Sequence, residues 1–165
     1  MRPPNATMTI TCFSMCNKYR YFLERSWSSG NGHLCWILLN PSTADAQVDD
    51  PTIRRCIRFA QRWGYAGMQV VNLFAYRSTD PGQLRAVGDP VGPDNNRFIL
   101  QAARECDKVV LGWGNHGSLH ARDASVLDLL HRAEIIPHVL GLTRRNAPKH
   151  PLYLKGDITP YPFPK

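Results

Sequence analysis

The rhythm of hydrophobic and polar positions changes once along the chain, near residue 33. Before that point, MTITCFS (8–14) and YRYFLERSW (19–27) partly alternate apolar with polar and are rich in Thr, Phe, Tyr and Ile. With MCNKY between them and the turn residues SSGNG after them, they predict an antiparallel hairpin. From Leu34 onward, four short apolar runs recur: LCWILL (34–39), MQVVNLF (68–74), KVVLGWG (108–114) and IIPHVLGL (135–142). Helical patterns separate them. Asp50-Pro51 supplies a helix cap and a first-turn proline; Ile53, Ile57 and Ala60 then share a face until Gly64. A Pro/Gly-rich loop (77–96) precedes a helix carrying Phe98, Ile99 and Ala102, and ARDASVLDLLHRA (121–133) predicts a third.

Strands alternating with helices imply parallel strands joined by right-handed crossovers. The expected fold class is α/β: a three-layer α/β/α core with a central four-stranded parallel sheet over residues 34–165, plus an N-terminal antiparallel hairpin over residues 1–33, all in one domain. The pattern shows no internal repeat, low-complexity tract or linker.

Composition narrows the picture. Apolar residues make up 43% and charged residues 20% of the 165, a globular balance. No run approaches the roughly 20 apolar residues of a membrane span, and no signal-peptide layout opens the chain, so a cytoplasmic location and no membrane partner are expected. Five scattered cysteines, with Cys12 and Cys16 the one close pair, suit reduced thiols; no metal site and no cofactor are expected. The formal charge of +7 favours a polyanionic partner.

In a parallel α/β fold, ligands bind beyond the carboxyl ends of the strands. The residues there are distinctive. Asn40-Pro41-Ser42-Thr43-Ala44-Asp45 follows the first run; Asn72 sits inside the second, which leads to Phe74, Tyr76 and Arg77. Trp113-Gly114-Asn115-His116 ends the third, and TRRNAPKHPLYLKG (143–156) follows the fourth. Amides, rings and cations converging on one rim are what reading a nucleobase and its phosphates requires.

This succession resembles the uracil-DNA glycosylase-like superfamily over about residues 34–163. Asn40-Pro41 is similar to its first motif, VVN (70–72) to its base-reading strand, GWG (112–114) to its third strand end, and His150-Pro151 to its His-Pro motif. The strings LNPSTAD, VVNLFAYR and KHPLYL resemble, more closely, a prokaryotic and phage family with no assigned activity. The superfamily resemblance implies a monomeric, metal-free DNA glycosylase that flips a damaged or modified nucleotide, such as a modified base of phage DNA, out of double-stranded DNA. It implies that Asn40 holds the attacking water, Asn72 reads the base edge, and His150 hydrogen-bonds the departing base. Phe74, Tyr76 or Trp113 would stack on the base. Ser42, Arg77, Asn115, Arg144, Arg145 and Lys149 would contact the DNA, and Leu152 or Tyr153 would wedge into the vacated stack.

Two departures follow from the same comparison. Asn40 stands where the most active branch has Asp, and an amide cannot take a proton, so Asp45, or else Asp49, is expected to supply the base. The superfamily's stacking Phe has no counterpart, since its position falls in the Ile53 helix. Asp50 reads as a helix cap, Trp36 and Trp63 as core, and His116, His120 and His131 as surface or packing residues. Arg54, Arg58 and Arg62, four residues apart, read as a solvated helix face. A non-catalytic nucleic-acid binder and a hydrolase of free nucleosides or nucleotides remain alternatives.

Overall fold

The computed structural model describes residues 8–27, 29–45 and 47–164; Ser28 of the expected SSGNG turn and residues 1–7 of the N-terminal extension lie outside them. The hairpin forms as the alternation predicts, with β1 (Met8–Phe13) antiparallel to β2 (Arg20–Ser26). β3 (His33–Leu38) then enters helix α1 (Pro51–Arg62), which is capped by the Asp50 carboxylate accepting the Ile53 amide at 2.9 Å. That cap contributes about 1 kcal/mol. β4 (Gly67–Asn72), α2 (Asn95–Glu105), β5 (Lys108–Leu111), α3 (Arg122–Arg132), β6 (Pro137–Val139) and β7 (Tyr161–Pro162) complete the order. One short 3₁₀ turn, Pro81–Arg85, breaks the long loop, and another, Pro151–Tyr153, follows His150.

The sheet is seven-stranded and mixed, in the order β1-β2-β4-β3-β5-β6-β7, rather than a four-stranded parallel one. Its middle pairs, β4 with β3, β3 with β5 and β5 with β6, are parallel. The difference has a physical reason. An unpaired β4 would expose a row of backbone donors and acceptors; β2 pairs with it antiparallel over Leu23–Ser26, which joins the hairpin to the sheet. At the far side β7 pairs with β6, a two-residue contact too short to leave a periodic signal.

Period-two alternation along β3 distributes the core. Cys35, Ile37 and Leu39 face a cluster with Ile99 and Ala102 of α2 and Val126 and Leu130 of α3. Leu34, Trp36 and Leu38 face another, with Ile53, Cys56, Ile57 and Phe59 of α1 and Leu23 of β2. Trp36 is fully buried there, with Trp63 half-buried 5.8 Å away between ring centroids. All five cysteines are unpaired thiols. Among the described residues no helix is long and apolar enough to cross a membrane.

From β3 the chain moves to β4 on one side and then returns past β3 to β5 on the other. That reversal of strand order opens a crevice at the carboxyl ends of these strands.

Candidate functional site

A cleft of about 700 Å³ occupies that crevice. The ends of β3, β4 and β5 supply Asn40, Asn72 and Trp113 to it; the start of α1 supplies Asp50 and Thr52, and the segment after β6 supplies Thr143, Lys149, His150 and Tyr153. Two close approaches shape the wall. A Cβ on Gly112 would lie 2.9 Å from Pro151 Cδ, so glycine lets the His150 segment pack onto β5. A Cβ on Gly117 would lie 2.3 Å from Trp113 Cδ1, so glycine leaves room for the indole.

Asn72 is the most informative residue. It is 1% exposed, yet neither its Nδ2 nor its Oδ1 has a hydrogen-bond partner among the described residues. Leaving a buried amide unpaired costs about 1–3 kcal/mol. The backbone around it is held with care: Asn95 Nδ2 donates to the Asn72 carbonyl at 2.8 Å and the Leu73 carbonyl at 3.0 Å, and Arg122 Nε donates to the Leu73 carbonyl at 2.7 Å. Burial lowers the Arg122 pKa to about 10, so the guanidinium stays charged at neutral pH. Arg122→Met should destabilise the protein by about 1.5–3 kcal/mol in chemical denaturation, because it removes the charged one of the two donors to the buried Leu73 carbonyl.

Asn40 is oriented by its own loop. Its Nδ2 donates to the carbonyls of Pro41 at 3.1 Å and Ser78 at 2.9 Å, which leaves Oδ1 as an acceptor at the rim. His150 is oriented too. Its Nδ1 accepts the Leu152 amide at 3.2 Å, so the neutral ring carries its proton on Nε2. Burial lowers the His150 pKa, with the Asp50 carboxylate opposing the shift, and burial with Lys108 nearby lowers that of His138. A depressed histidine binds fewer protons folded than unfolded. Its stabilising contribution is therefore present above the unfolded value of about 6.5 and is lost as pH falls through the folded one. Melting temperature should drop as pH falls below about 6.5, and the drop should shrink in His150→Leu.

Asp45 does not reach the cleft. Its Oδ1 accepts the amides of Gln47 and Val48, each at 2.8 Å, and these bonds lower its pKa. Asp49 is also engaged, in an ion pair with Arg25 Nε at 2.9 Å. Both carboxylates shape the loop before α1, and neither is among the residues that line the cleft, where one of them was expected to serve. The carboxylate in the cleft is Asp50, 9% exposed, with one oxygen on the α1 cap. Arg20 lines the cleft as well, although its position in the hairpin strand gives no local sign of it. Antiparallel pairing brings the start of β2 to the carboxyl end of β4, where Arg20 N donates to the Ala75 carbonyl at 2.9 Å. Burial lowers the Arg20 pKa to about 10 against the opposing charge of Asp50.

The aromatic expectations divide. Phe74 is fully buried in the core against α2 and α3, because its side chain falls on the inward face, and it cannot stack on a ligand. Tyr76 lines a neighbouring pocket, edge-on to Tyr19 at 6.1 Å, together with Arg77, which lies over the Phe13 ring at 4.6 Å. Trp113, 2% exposed, does line the cleft. Among the expected DNA contacts, Ser42, Asn115, Lys149, Leu152 and Tyr153 line the cleft, and the Asn115 Oδ1 accepts the Thr143 hydroxyl at 2.6 Å. Leu152 and Tyr153 are 39% and 83% exposed at its edge. Arg144 and Arg145 are exposed on the 143–147 turn and stand outside the lining. Among the described residues no group of His, Cys, Asp or Glu is placed to hold a metal ion.

Fold and site together define a mixed α/β protein whose polar, partly buried cleft lies at the carboxyl ends of its parallel strands. The chain belongs to the family described as "Protein of unknown function (DUF1643)", whose family model matches residues 20–152. That match runs from Arg20 to Leu152 and takes in every residue that lines the cleft except Tyr153 and Leu154. No curated protein and no solved structure matches the chain.

Proposed function

We propose that the protein is a DNA glycosylase that hydrolyses the N-glycosidic bond of a damaged or modified base, on a uracil-DNA glycosylase-like arrangement of the three layers. One observation carries the reading: Asn72, a buried amide with both hydrogen-bonding atoms unpaired, lines the cleft. A base edge that offers one acceptor and one donor would complete it, as the side-chain amides of Asn and Gln do on adenine.

The other side chains fit roles in that reaction. Asn40 Oδ1 would hold a water at the rim. Asp50 would take the proton from that water as its oxygen bonds to the sugar C1′ and the C1′–N bond breaks, its electron pair passing to the base. The Nε2–H of His150 would donate to the departing base, beside which Arg20 also lines the cleft. Trp113 would pack against the base. Tyr153 and Leu152, apolar and exposed at the edge, would fill the place it left in the stack. A carboxylate inside the cleft favours this reading over a purely binding protein.

The test is incubation with duplex oligonucleotides that each carry one modified base, followed by mass analysis of released bases and alkaline cleavage at abasic sites. Free base and alkali-labile sites are expected from at least one duplex, and both should be lost in Asn40→Ala. Release from free nucleosides alone, or no release from any substrate, would reject the proposal.

A further inference from the structure

Helix α1 carries Arg54, Arg55, Arg58 and Arg62 and no acidic residue. Among the described residues no carboxylate forms an ion pair with any of the four. Arg55, Arg58 and Arg62, with Phe59 and Gly156, line a second groove of about 340 Å³. It begins where the cleft ends. Arg55 donates to the carbonyl of Leu154, a cleft residue, and its guanidinium lies 5.1 Å from the Phe59 ring centroid, so it clamps the 154–156 segment between the two hollows. Its Nε is buried and has no partner among the described residues. Arg58 and Arg62 are exposed one and two helical turns further on.

Residues four apart on a helix are separated by about 6 Å along its axis, so Arg58 and Arg62 present two cations in line along the groove. A solvated basic face is ordinarily interleaved with acids for i,i+4 pairing; α1 has none, whereas Arg97 on α2 pairs with Asp94 and Arg132 on α3 with Asp128.

We infer that the Arg55–Arg58–Arg62 groove is a phosphodiester-binding track, which holds the nucleic-acid backbone flanking the nucleotide in the cleft. The inference rests on the nucleic-acid part of the reading above and not on its chemistry, so binding to unmodified DNA tests it separately.

The experiment uses the full chain and a fluorescein-labelled duplex of about 20 base pairs of unmodified DNA, titrated by anisotropy at NaCl concentrations from about 50 to 200 mM. Arg58→Gln with Arg62→Gln should weaken Kd about tenfold and reduce the slope of log K against log salt by about 1.8, two phosphate contacts' worth. Arg97→Gln with Arg132→Gln changes net charge equally and should leave the slope alone. An unchanged slope in the first pair, an equal fall in the second, or no salt-dependent binding by the parent protein overturns the track. So does polyglutamate, if it competes with DNA as well per charge. If the track variants behave as expected but no base is released from any duplex, the track stands and the glycosylase chemistry falls.

Discussion

Asp50→Asn should reduce base release by about two to four orders of magnitude while moving the stability of the protein by no more than about 1 kcal/mol. The two effects separate because the carboxylate has two tasks in the proposed reaction. One oxygen accepts the Ile53 amide and caps α1; asparagine caps about as well as aspartate. The other task, taking a proton from water, is closed to an amide. Asp50→Ala should lose both, with the same fall in rate and a cost of about 1 kcal/mol in denaturation. Asp45→Asn and Asp49→Asn provide the contrast. Both residues are bound to the loop and stand outside the cleft, so turnover should stay near the parent value. If Asp50→Asn keeps full activity while Asp45→Asn loses it, the loop carboxylate moves into the cleft on binding and the assignment is reversed.

Asp50 also shows how far the sequence could be read. Asp-Pro before an apolar-periodic run identifies an N-cap, and the structure has that cap. What the one-dimensional pattern could not convey is that the crevice lies on the same side as the start of α1, so that a capping residue is also a cleft residue. Arg20 was hidden for a related reason. Its strand was legible as half of a hairpin, but the antiparallel pairing of β2 with β4, which carries the Arg20 end to the cleft, is a long-range choice with no local signature. Asn95 and Arg122 are polar residues at helix starts, where nothing in the local pattern marks a buried role. Their bonds to the Asn72 and Leu73 carbonyls depend on α2 and α3 packing under the end of β4. By contrast, the strands that carry Asn40, Asn72 and Trp113 announced themselves as apolar runs ending in polar residues, and all three line one cleft. Phe74 shows the limit of the same signal: two residues past Asn72, its ring turns inward to the α2 and α3 cluster.

Asn72→Leu should make the protein more stable and cut its base release by about one to two orders of magnitude. Most polar-to-apolar changes at a binding site cost stability or leave it unchanged; here the sign reverses because the native amide is buried with both polar atoms unpaired. Replacing an unsatisfied buried amide by an apolar group of similar shape removes its desolvation penalty, about 1–3 kcal/mol, and adds apolar burial at the floor of the cleft. The denaturation midpoint should rise accordingly. Base recognition should fall by about 1–3 kcal/mol of discrimination, the worth of one bidentate amide–base pair, and with it the release of free base. Asn72→Asp separates the two causes. It keeps the shape and one acceptor but loses the donor, so it should bind a base that offers a donor at both positions and reject the parent substrate. A protein that retains a destabilising residue at the end of a buried strand does so against the trend of its own core, the pattern expected where function opposes stability. If Asn72→Leu proves less stable than the parent, the amide has a partner in solution, and the proposal that Asn72 reads the base falls.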